Sequence, residues 1–238
     1  MPIKLDRAAS ADYPNFRRFA PYAEDLPTLY LAVRPECRKI VNTLVVAKSS
    51  GTVDRARWEH AALTAFERGG PAAVTVVGLA RELGVTKGSF YWHFETRGEL
   101  LDSALARWER NFTTETIDRL REIADPRERL VTLIRQSIEG DWSTLFARLL
   151  VAAPDEPAVA SAVARSTKAR LQFLETTYVE LGMAPAAAKR HALLAYSSYI
   201  GIATLTPSGI RPFSDDAARN AYADHMIEVL VDNTGADA

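Results

Sequence analysis

Apolar side chains recur along most of this chain, from about residue 54 onward, at the three- and four-residue spacing of an α-helix. Trp58, Ala61, Ala62, Ala65 and Phe66 fall at positions i, i+3, i+4, i+7 and i+8, one stripe of an amphipathic helix. No segment alternates with the two-residue period of a β-strand. Similar stripes predict further helices over residues 96–111, 127–139, 142–153, 158–181 and 185–205, and from 216 onward. The pattern therefore predicts an all-α protein of about nine helices.

Two short helices joined by a tight turn precede the stripe that begins at residue 96. Thr75 suits the N-cap of the first of these helices, because its hydroxyl can accept a hydrogen bond from a free amide one turn on. Gly84 suits the end of that helix, since glycine adopts a positive φ at little cost. The second helix, over residues 87–93, is too short to be stable alone. We expect Phe90 and Phe94, four residues apart, to anchor it and to leave its other surface facing outward.

The outward surface of this second short helix carries side chains that suit a DNA major groove. A lysine neutralises phosphate, serine and tyrosine hydroxyls bond to phosphate oxygens, and Gly88 allows a close approach. A core-capping role is the alternative for Trp92 and His93. The spacing predicts a helix-turn-helix. The expected DNA contacts are Thr75, Thr86, Lys87, Gly88, Ser89, Tyr91, Trp92 and His93.

The same stretch resembles the DNA-binding domain of the tetracycline-repressor (TetR) family of bacterial transcriptional regulators. The resemblance rests on the run Gly-Val-Thr-Lys-Gly-Ser-Phe-Tyr-Trp-His-Phe at residues 84–94, followed by Arg97, Glu99, Leu100 and Leu101. It covers about residues 54–101. Gly78 departs from the family pattern, which usually has a polar or acidic residue there, and it weakens the first helix by about 1 kcal/mol relative to alanine.

The resemblance implies a fold of two parts: an N-terminal three-helix domain with the helix-turn-helix and a C-terminal helical bundle for regulation and dimerisation. We expect the first part to span residues 53–101 and the second to span residues 102–238. The resemblance also places a basic residue at the start of the linking helix, so Arg97 joins the expected phosphate contacts. Its alternative role is a local ion pair with Glu95 or Glu99.

Residues 1–52 lie outside the region of resemblance. They hold five of the twelve prolines and a surplus of three basic over acidic side chains. One interpretation is a basic arm that tracks DNA beside the helix-turn-helix. The other is a poorly ordered extension, or a translated upstream segment that the working protein lacks. We favour the second interpretation because chain termini are commonly loose.

The composition of the chain limits what it can bind and where it works. The net charge of −1 argues against a general polyanion binder, so any DNA affinity must come from a local patch. A single cysteine allows no internal disulfide and fits a reducing cytosol. No apolar run reaches membrane-spanning length, and the N-terminus has no signal-peptide core. We therefore expect a cytoplasmic location.

Catalytic chemistry finds little support in the sequence. The four histidines are scattered, and no pair has the spacing of a helix-borne metal site. There is no Walker loop, no dinucleotide fingerprint and no Gly-x-Ser-x-Gly elbow. We predict no catalytic residue, no metal and no cofactor, and therefore not an enzyme. A helical-bundle enzyme remains the least favoured hypothesis.

Aromatic side chains are frequent in the C-terminal part, where they could line a cavity for a small hydrophobic ligand. An ordinary bundle core explains the same residues equally well. The candidate ligand contacts are Trp108, Phe112, Phe146, Phe173 and Tyr196.

The last two predicted helices suit a homodimer interface. Small residues four apart on one of them allow a second helix to approach closely, and two such helices per chain form a four-helix bundle about a twofold axis. The expected interface residues are Leu194, Ser197, Gly201, Tyr222, Met226 and Val229.

Together these features predict a dimeric regulator, most simply a repressor that a small hydrophobic ligand releases from a palindromic operator. The alternative is a regulator of the same fold that is controlled by a protein partner.

Overall fold

The computed structural model describes residues 53–139, 143–205 and 210–232, and within these ranges the chain is helical and contains no β-strand. The expectations for residues 1–52 lie outside the described residues. The N-terminal part holds α1 (Arg55–Gly69), a 3₁₀ turn (Pro71–Ala73), α2 (Val76–Leu83) and α3 (Lys87–Phe90). This arrangement confirms the predicted all-α class and the short helix pair.

A long helical rod follows, in which α4 (Arg97–Glu109) runs through a π-helical turn (Arg110–Thr114) into α5 (Glu115–Arg121). The C-terminal bundle then adds α6 (Pro126–Glu139), α7 (Ser143–Ala152), α8 (Pro157–Glu180), α9 (Pro185–Leu205) and α10 (Asp216–Leu230). None of the helices in the described ranges is long and apolar enough to cross a membrane.

Side-chain caps fix the starts of several helices. The Asp54 carboxylate accepts from the Arg57 amide at 2.9 Å, at the start of α1. The Thr96 hydroxyl accepts from the Glu99 amide at 3.1 Å, at the start of α4. An equivalent bond from Asp215 begins α10. Each cap satisfies an amide that has no partner inside its helix, so these starts agree with the sequence signals.

One continuous apolar core runs from the short N-terminal helices into the bundle. It includes the fully buried rings of Trp58, Phe66, Phe90, Trp108 and Tyr178. In this core α1 packs on α4 and also contacts α7, while α8 packs on α9 and α6 packs on α10. The helix-turn-helix is therefore held on the same body as the bundle, through α1 and α4.

The π-helical turn is the main departure from the predicted helices. The sequence pattern predicts one regular helix through residue 111 or beyond, but the rod widens by one residue per turn at residues 110–114. Thr113 within the turn is buried, and its hydroxyl is hydrogen-bonded to that of Ser166 on α8. The turn thus places a polar group against α8 that a regular helix would direct elsewhere.

Candidate functional site

The turn between α2 and α3 has the geometry that the sequence predicts. The Thr75 hydroxyl accepts from the Gly78 amide at 3.1 Å. Gly84 takes up the left-handed conformation at φ 69°, and its amide donates to Arg81 O at 3.2 Å. The Val85 amide donates back to Ala80 O at 2.9 Å. These bonds close α2 and turn the chain sharply into α3.

Aromatic packing holds α3 against the domain. Phe90 is fully buried, with its ring edge-on to Trp58 at 5.4 Å and stacked on Phe94 at 5.6 Å. Trp58 is thus a core residue. The regular part of α3 ends at Phe90, sooner than predicted, because Phe90 O accepts the amides of both His93 and Phe94 in a tighter turn. A four-residue helix is stable here only because its apolar side packs against the buried rings of the domain.

The outer side of α3 and its turn is open to solvent. Trp92 is 88% exposed and Tyr91 is 56% exposed, so Trp92 does not cap the core. Lys87 lies 5.9 Å from the centre of the Tyr91 ring. Of the other expected contacts, Thr75, Thr86, Lys87 and Gly88 are exposed, while Ser89 and His93 are half-buried. Six of the eight predicted residues of the α2–α3 region are therefore open to solvent, and the other two are partly so.

Two glycines differ in what the protein itself requires of them. A Cβ at Gly78 would lie 2.7 Å from Thr75 Oγ1, so a side chain there collides with the capping hydroxyl of α2. A Cβ at Gly88 would meet only Thr86 Oγ1, at an ordinary 3.5 Å. A side chain at position 78 would therefore require the Thr75 hydroxyl to shift, whereas none of the described residues demands a glycine at position 88.

Arg97 is engaged within the protein more than its sequence position indicates. Its Nε donates to Val74 O at 2.8 Å and its Nη2 donates to Pro71 O at 2.6 Å. Its nearest described carboxylate is that of Glu156, 3.9 Å away, rather than Glu95 or Glu99. Arg97 therefore ties the start of α4 to the segment before α2, and a phosphate contact would have to use its remaining donor.

Sequence reasoning missed Arg55, which lies behind the candidate DNA surface. Its Nη1 donates to His93 O at 3.0 Å, its Nη2 donates to Glu99 at 3.2 Å, and its guanidinium stacks over the Phe94 ring at 4.4 Å. It also donates to Ser103 at 3.3 Å. Arg55 thus joins α1, the end of the α3 turn and α4. Beside a local ion pair with Glu59 at 3.6 Å, the partners that give Arg55 this role lie 38 to 48 residues away, so no local pattern reveals it.

His60, on α1, has a pKa below its ordinary value of 6.5. Burial lowers the pKa, and the nearby Arg107 charge lowers it further, while Glu82 opposes them. His60 is therefore held mainly in its neutral form. Across the described residues, no cluster of three or more His, Cys, Asp or Glu side chains has the geometry of a metal site.

A cavity of about 100 Å³ lies among the π-helical turn, α5, α6, α8, α9 and α10. Of the five predicted ligand contacts, Phe112, Phe173 and Tyr196 line it. Trp108 and Phe146 do not line it but stack on each other behind it, at 5.8 Å. The other lining side chains are mostly aliphatic, with hydroxyls from Thr113, Thr116 and Ser137.

One charged residue, Arg170 on α8, also lines the cavity, and sequence reasoning missed it. Its guanidinium lies over the rings of Phe146, Tyr199 and Trp108, at 4.7, 5.8 and 5.9 Å from their centres. Its Nη2 donates to Phe112 O in the π-helical turn at 3.0 Å. Burial raises the pKa of Tyr199, against the opposing charge of Arg170. A signal was available, because Arg170 falls on the buried stripe of α8.

The predicted interface residues lie on α9 and α10. Leu194, Ser197 and Gly201 are exposed along one line of α9, with Leu194 at 51%. On α10, Val229 is 41% exposed, while Tyr222 and Met226 are half-buried against the core. The structure therefore leaves an apolar strip on α9 and part of α10 open to a second surface.

The N-terminal helices are similar in sequence to a known protein family. Residues 60–104, from α1 to the middle of α4, match a family described as bacterial regulatory proteins, tetR family. No curated protein matches the chain at a significant level.

Solved structures share the fold across most of the chain. A transcriptional regulator from Rhodococcus sp. Rha1 is 20% identical, with a TM-score of 0.61 over 78% of this chain and 99% of its own. A Saccharomonospora viridis structure in complex with choline is 22% identical, with a TM-score of 0.58 over 73% and 95%. The fatty acid degradation regulator FadR from Bacillus halodurans is 14% identical, with a TM-score of 0.56 over 79% and 99%.

Proposed function

We propose that this chain is a TetR-family transcriptional regulator that binds DNA, and that it represses transcription from a palindromic operator until a small hydrophobic ligand releases it in the cytoplasm. The observation that carries the proposal is the α3 surface. The two-turn segment that begins with α3 is anchored by the buried rings of Phe90 and Phe94. It exposes Lys87, Tyr91 and Trp92 to solvent. Exposed rings and a cation on a rigidly held short helix suit a groove lined by phosphates.

Ligand control is supported by the position of the cavity. The π-helical turn that borders it is continuous with α4, and α4 begins next to the α3 turn. A molecule that changes the packing of this turn therefore acts on the rod that carries the DNA-binding helices. Similar folds are associated with small molecules, since one is in complex with choline and another regulates fatty acid degradation.

A homodimer completes the proposal. A single short reading helix contacts only a few base pairs, whereas two of them about 34 Å apart read a palindrome. The open apolar strip on α9 and α10 supports pairing of two chains through these helices. One arrangement of the dimer then spaces the reading helices for the operator, and the ligand favours another arrangement.

The test uses the full chain and operator fragments selected from its own genome by binding. We expect Lys87→Ala to weaken binding and to lower the slope of log affinity against log salt by roughly one unit, as for the loss of one phosphate contact. Lys168→Ala removes an exposed lysine from α8 and serves as the matched control, with no change in slope expected. An unchanged slope in the Lys87 variant contradicts the placement of this surface on DNA.

Control by a protein partner is the second candidate, and the cavity size favours it. A cavity of about 100 Å³ is smaller than most ligand pockets, which occupy roughly 300–1,000 Å³. Operator release by the low-mass fraction of a cell extract supports the ligand, while release only by the protein fraction supports the partner.

A further inference from the structure

We propose that the effector of this regulator is a short monocarboxylate with an apolar body, and that Arg170 binds its carboxylate. That the ligand acts as an effector depends on the proposed function. The chemical class of the ligand is argued from the residues that line the cavity. Arg170 is the single charged residue among the described side chains that line the cavity. An anion is therefore recognised here by one defined group.

The hydrogen bonding of Arg170 is incomplete. Its Nη2 donates to Phe112 O, but its Nη1 is fully buried and has no hydrogen-bond partner among the described residues. No described carboxylate lies within ion-pair distance of it. An arginine side chain carries its charge permanently in proteins, so this cost persists. Arg170 as a whole is half-buried, and the Tyr199 hydroxyl, its other hydrogen-bonding neighbour among the described residues, is neutral. A shielded N–H of a cation is costly to leave unpaired unless an anion and its acceptor atoms arrive.

The three rings around the guanidinium do not replace that anion. Phe146, Tyr199 and Trp108 offer their π-faces to the cation, which contributes attraction but accepts no N–H in the guanidinium plane. The rings also exclude the opposite assignment. A cationic ligand would compete for faces that Arg170 already occupies and would be repelled by its charge.

The rest of the cavity limits the size and polarity of the ligand. Its walls are aliphatic and aromatic, with a few neutral hydroxyl and amide groups, so the remainder of the molecule is apolar. The volume of about 100 Å³ is less than the ~150 Å³ engineered cavity that takes benzene. A straight-chain acid of about four carbons has as many non-hydrogen atoms as benzene, and an acid of about six carbons requires the walls to make room for two more.

The experiment compares three probes that are each built on a straight six-carbon chain and differ in their polar end: hexanoate, 1-hexanol and hexyltrimethylammonium. Binding to the full chain is measured by calorimetry and by thermal unfolding without DNA. We expect hexanoate to bind at least tenfold more tightly than 1-hexanol, and hexyltrimethylammonium to bind more weakly still. Equal affinity for acid and alcohol, or no binding of hexanoate at any soluble concentration, overturns the proposal.

Variants separate recognition from folding. Arg170→Met removes the unpaired charge while keeping a long apolar side chain, so we expect a higher melting temperature without ligand and at least a tenfold loss of hexanoate affinity. Lys168→Met, an exposed position on the same helix, should change neither. If Arg170→Met does not fold, Arg170→Lys tests the same point, because it keeps the charge and should still prefer acid over alcohol. Unchanged hexanoate affinity in Arg170→Met overturns the assignment of the residue.

A separate shift assay with operator DNA keeps the two proposals apart. Hexanoate that binds but leaves the DNA complex intact supports the carboxylate site and contradicts ligand-released repression. DNA binding without any binding of hexanoate supports the DNA-binding regulator and contradicts the carboxylate site.

Discussion

Gly88 opens directly onto the candidate DNA surface, and the fold does not need a glycine there. A Cβ at this position meets only an ordinary contact, and alanine is favoured in a helix by about 1 kcal/mol. We therefore expect Gly88→Ala to keep or slightly raise the free energy of unfolding while weakening operator binding at least tenfold. Urea unfolding and a shift assay measure the two effects.

Gly98 offers the matched control for that substitution. It follows a threonine N-cap by two residues, as Gly88 does, and a Cβ there would lie 3.6 Å from Thr96 Oγ1. Gly98→Ala should therefore leave operator affinity unchanged. Similar losses of affinity in both variants would show that α3 does not approach DNA closely at Gly88.

His60 makes the free energy of unfolding depend on pH. Burial lowers its pKa in the folded state, so below pH 6.5 the unfolded chain binds more protons than the folded one. We expect stability to be fully present above pH 6.5 and to fall as the pH decreases toward the folded-state pKa. His60→Gln should flatten this part of the curve of urea midpoint against pH. Parallel curves for the two proteins would remove His60 as the cause.

The roles of single residues were predictable where they depend on neighbours in sequence. The exposure of Lys87, Tyr91 and Trp92 follows from the spacing of Phe90 and Phe94, a purely local pattern. The inward position of Arg170 could be inferred from the stripe of α8, but its partners could not, because the rings it contacts come from three different helices. Only the packing of those helices brings them together.

Among the elements, the start of α4 depends on Arg97. Removing its side chain leaves Val74 O without its Arg97 donor, while Pro71 O keeps the Val74 amide at 3.2 Å, and an unsatisfied buried acceptor costs about 1–3 kcal/mol. We expect Arg97→Ala to lower the free energy of unfolding by about that amount in urea titrations.

Arg68 provides the comparison, since it forms an exposed ion pair with Glu82. Arg68→Ala should cost less than about 1 kcal/mol. If Arg97→Ala is as stable as the wild type but loses roughly one unit of salt slope, its main partner is phosphate rather than the two carbonyls.

The sequence contained a signal of the π-helical turn that a stripe analysis passes over. Leu101, Leu105 and Trp108 set one helical phase, whose next members would be residues 112 and 115 or 116. The buried positions are Thr113, Thr116, Ile117 and Leu120, so the first buried position after Trp108 comes five residues later, where a regular helix has it after three or four. The apolar pattern slips by one residue, which is what a wide turn accommodates.

For the whole molecule, the exposed residues on α9 and α10 predict which substitutions prevent dimerisation. A Cβ at Gly201 would have no atom of the described residues within 4 Å, and Val229 is 41% exposed, so we expect the isolated chain to tolerate change at both positions. We expect Gly201→Arg and Val229→Asp to give monomers with unchanged helix content and no specific operator binding. Sedimentation, circular dichroism and a shift assay measure these three properties.

Val151→Asp is the control, because Val151 is 76% exposed on α7, outside the proposed interface. It should remain a dimer that binds its operator. If the Gly201 and Val229 variants stay folded, dimeric and bound to DNA, the interface lies elsewhere. If they unfold instead, these faces pack within one chain.

The all-helical class and the division into a helix-turn-helix part and a bundle could be predicted at this scale, because helical periodicity and a long ordered motif carry both. The cavity could not be predicted. Its volume is the small difference between two large volumes, that of the space between the surrounding helices and that of the side chains that fill it. No single helix therefore determines the cavity.

The exposure of Trp92 gives the molecule a built-in optical reporter. The indoles of Trp58 and Trp108 are shielded inside the core, whereas that of Trp92 stands in water on the α3 turn. Its fluorescence is therefore red-shifted relative to theirs and open to quenching by acrylamide. A duplex lying on α3 covers this fluorophore, so the protein reports occupancy of the proposed DNA surface by its own emission, without a label.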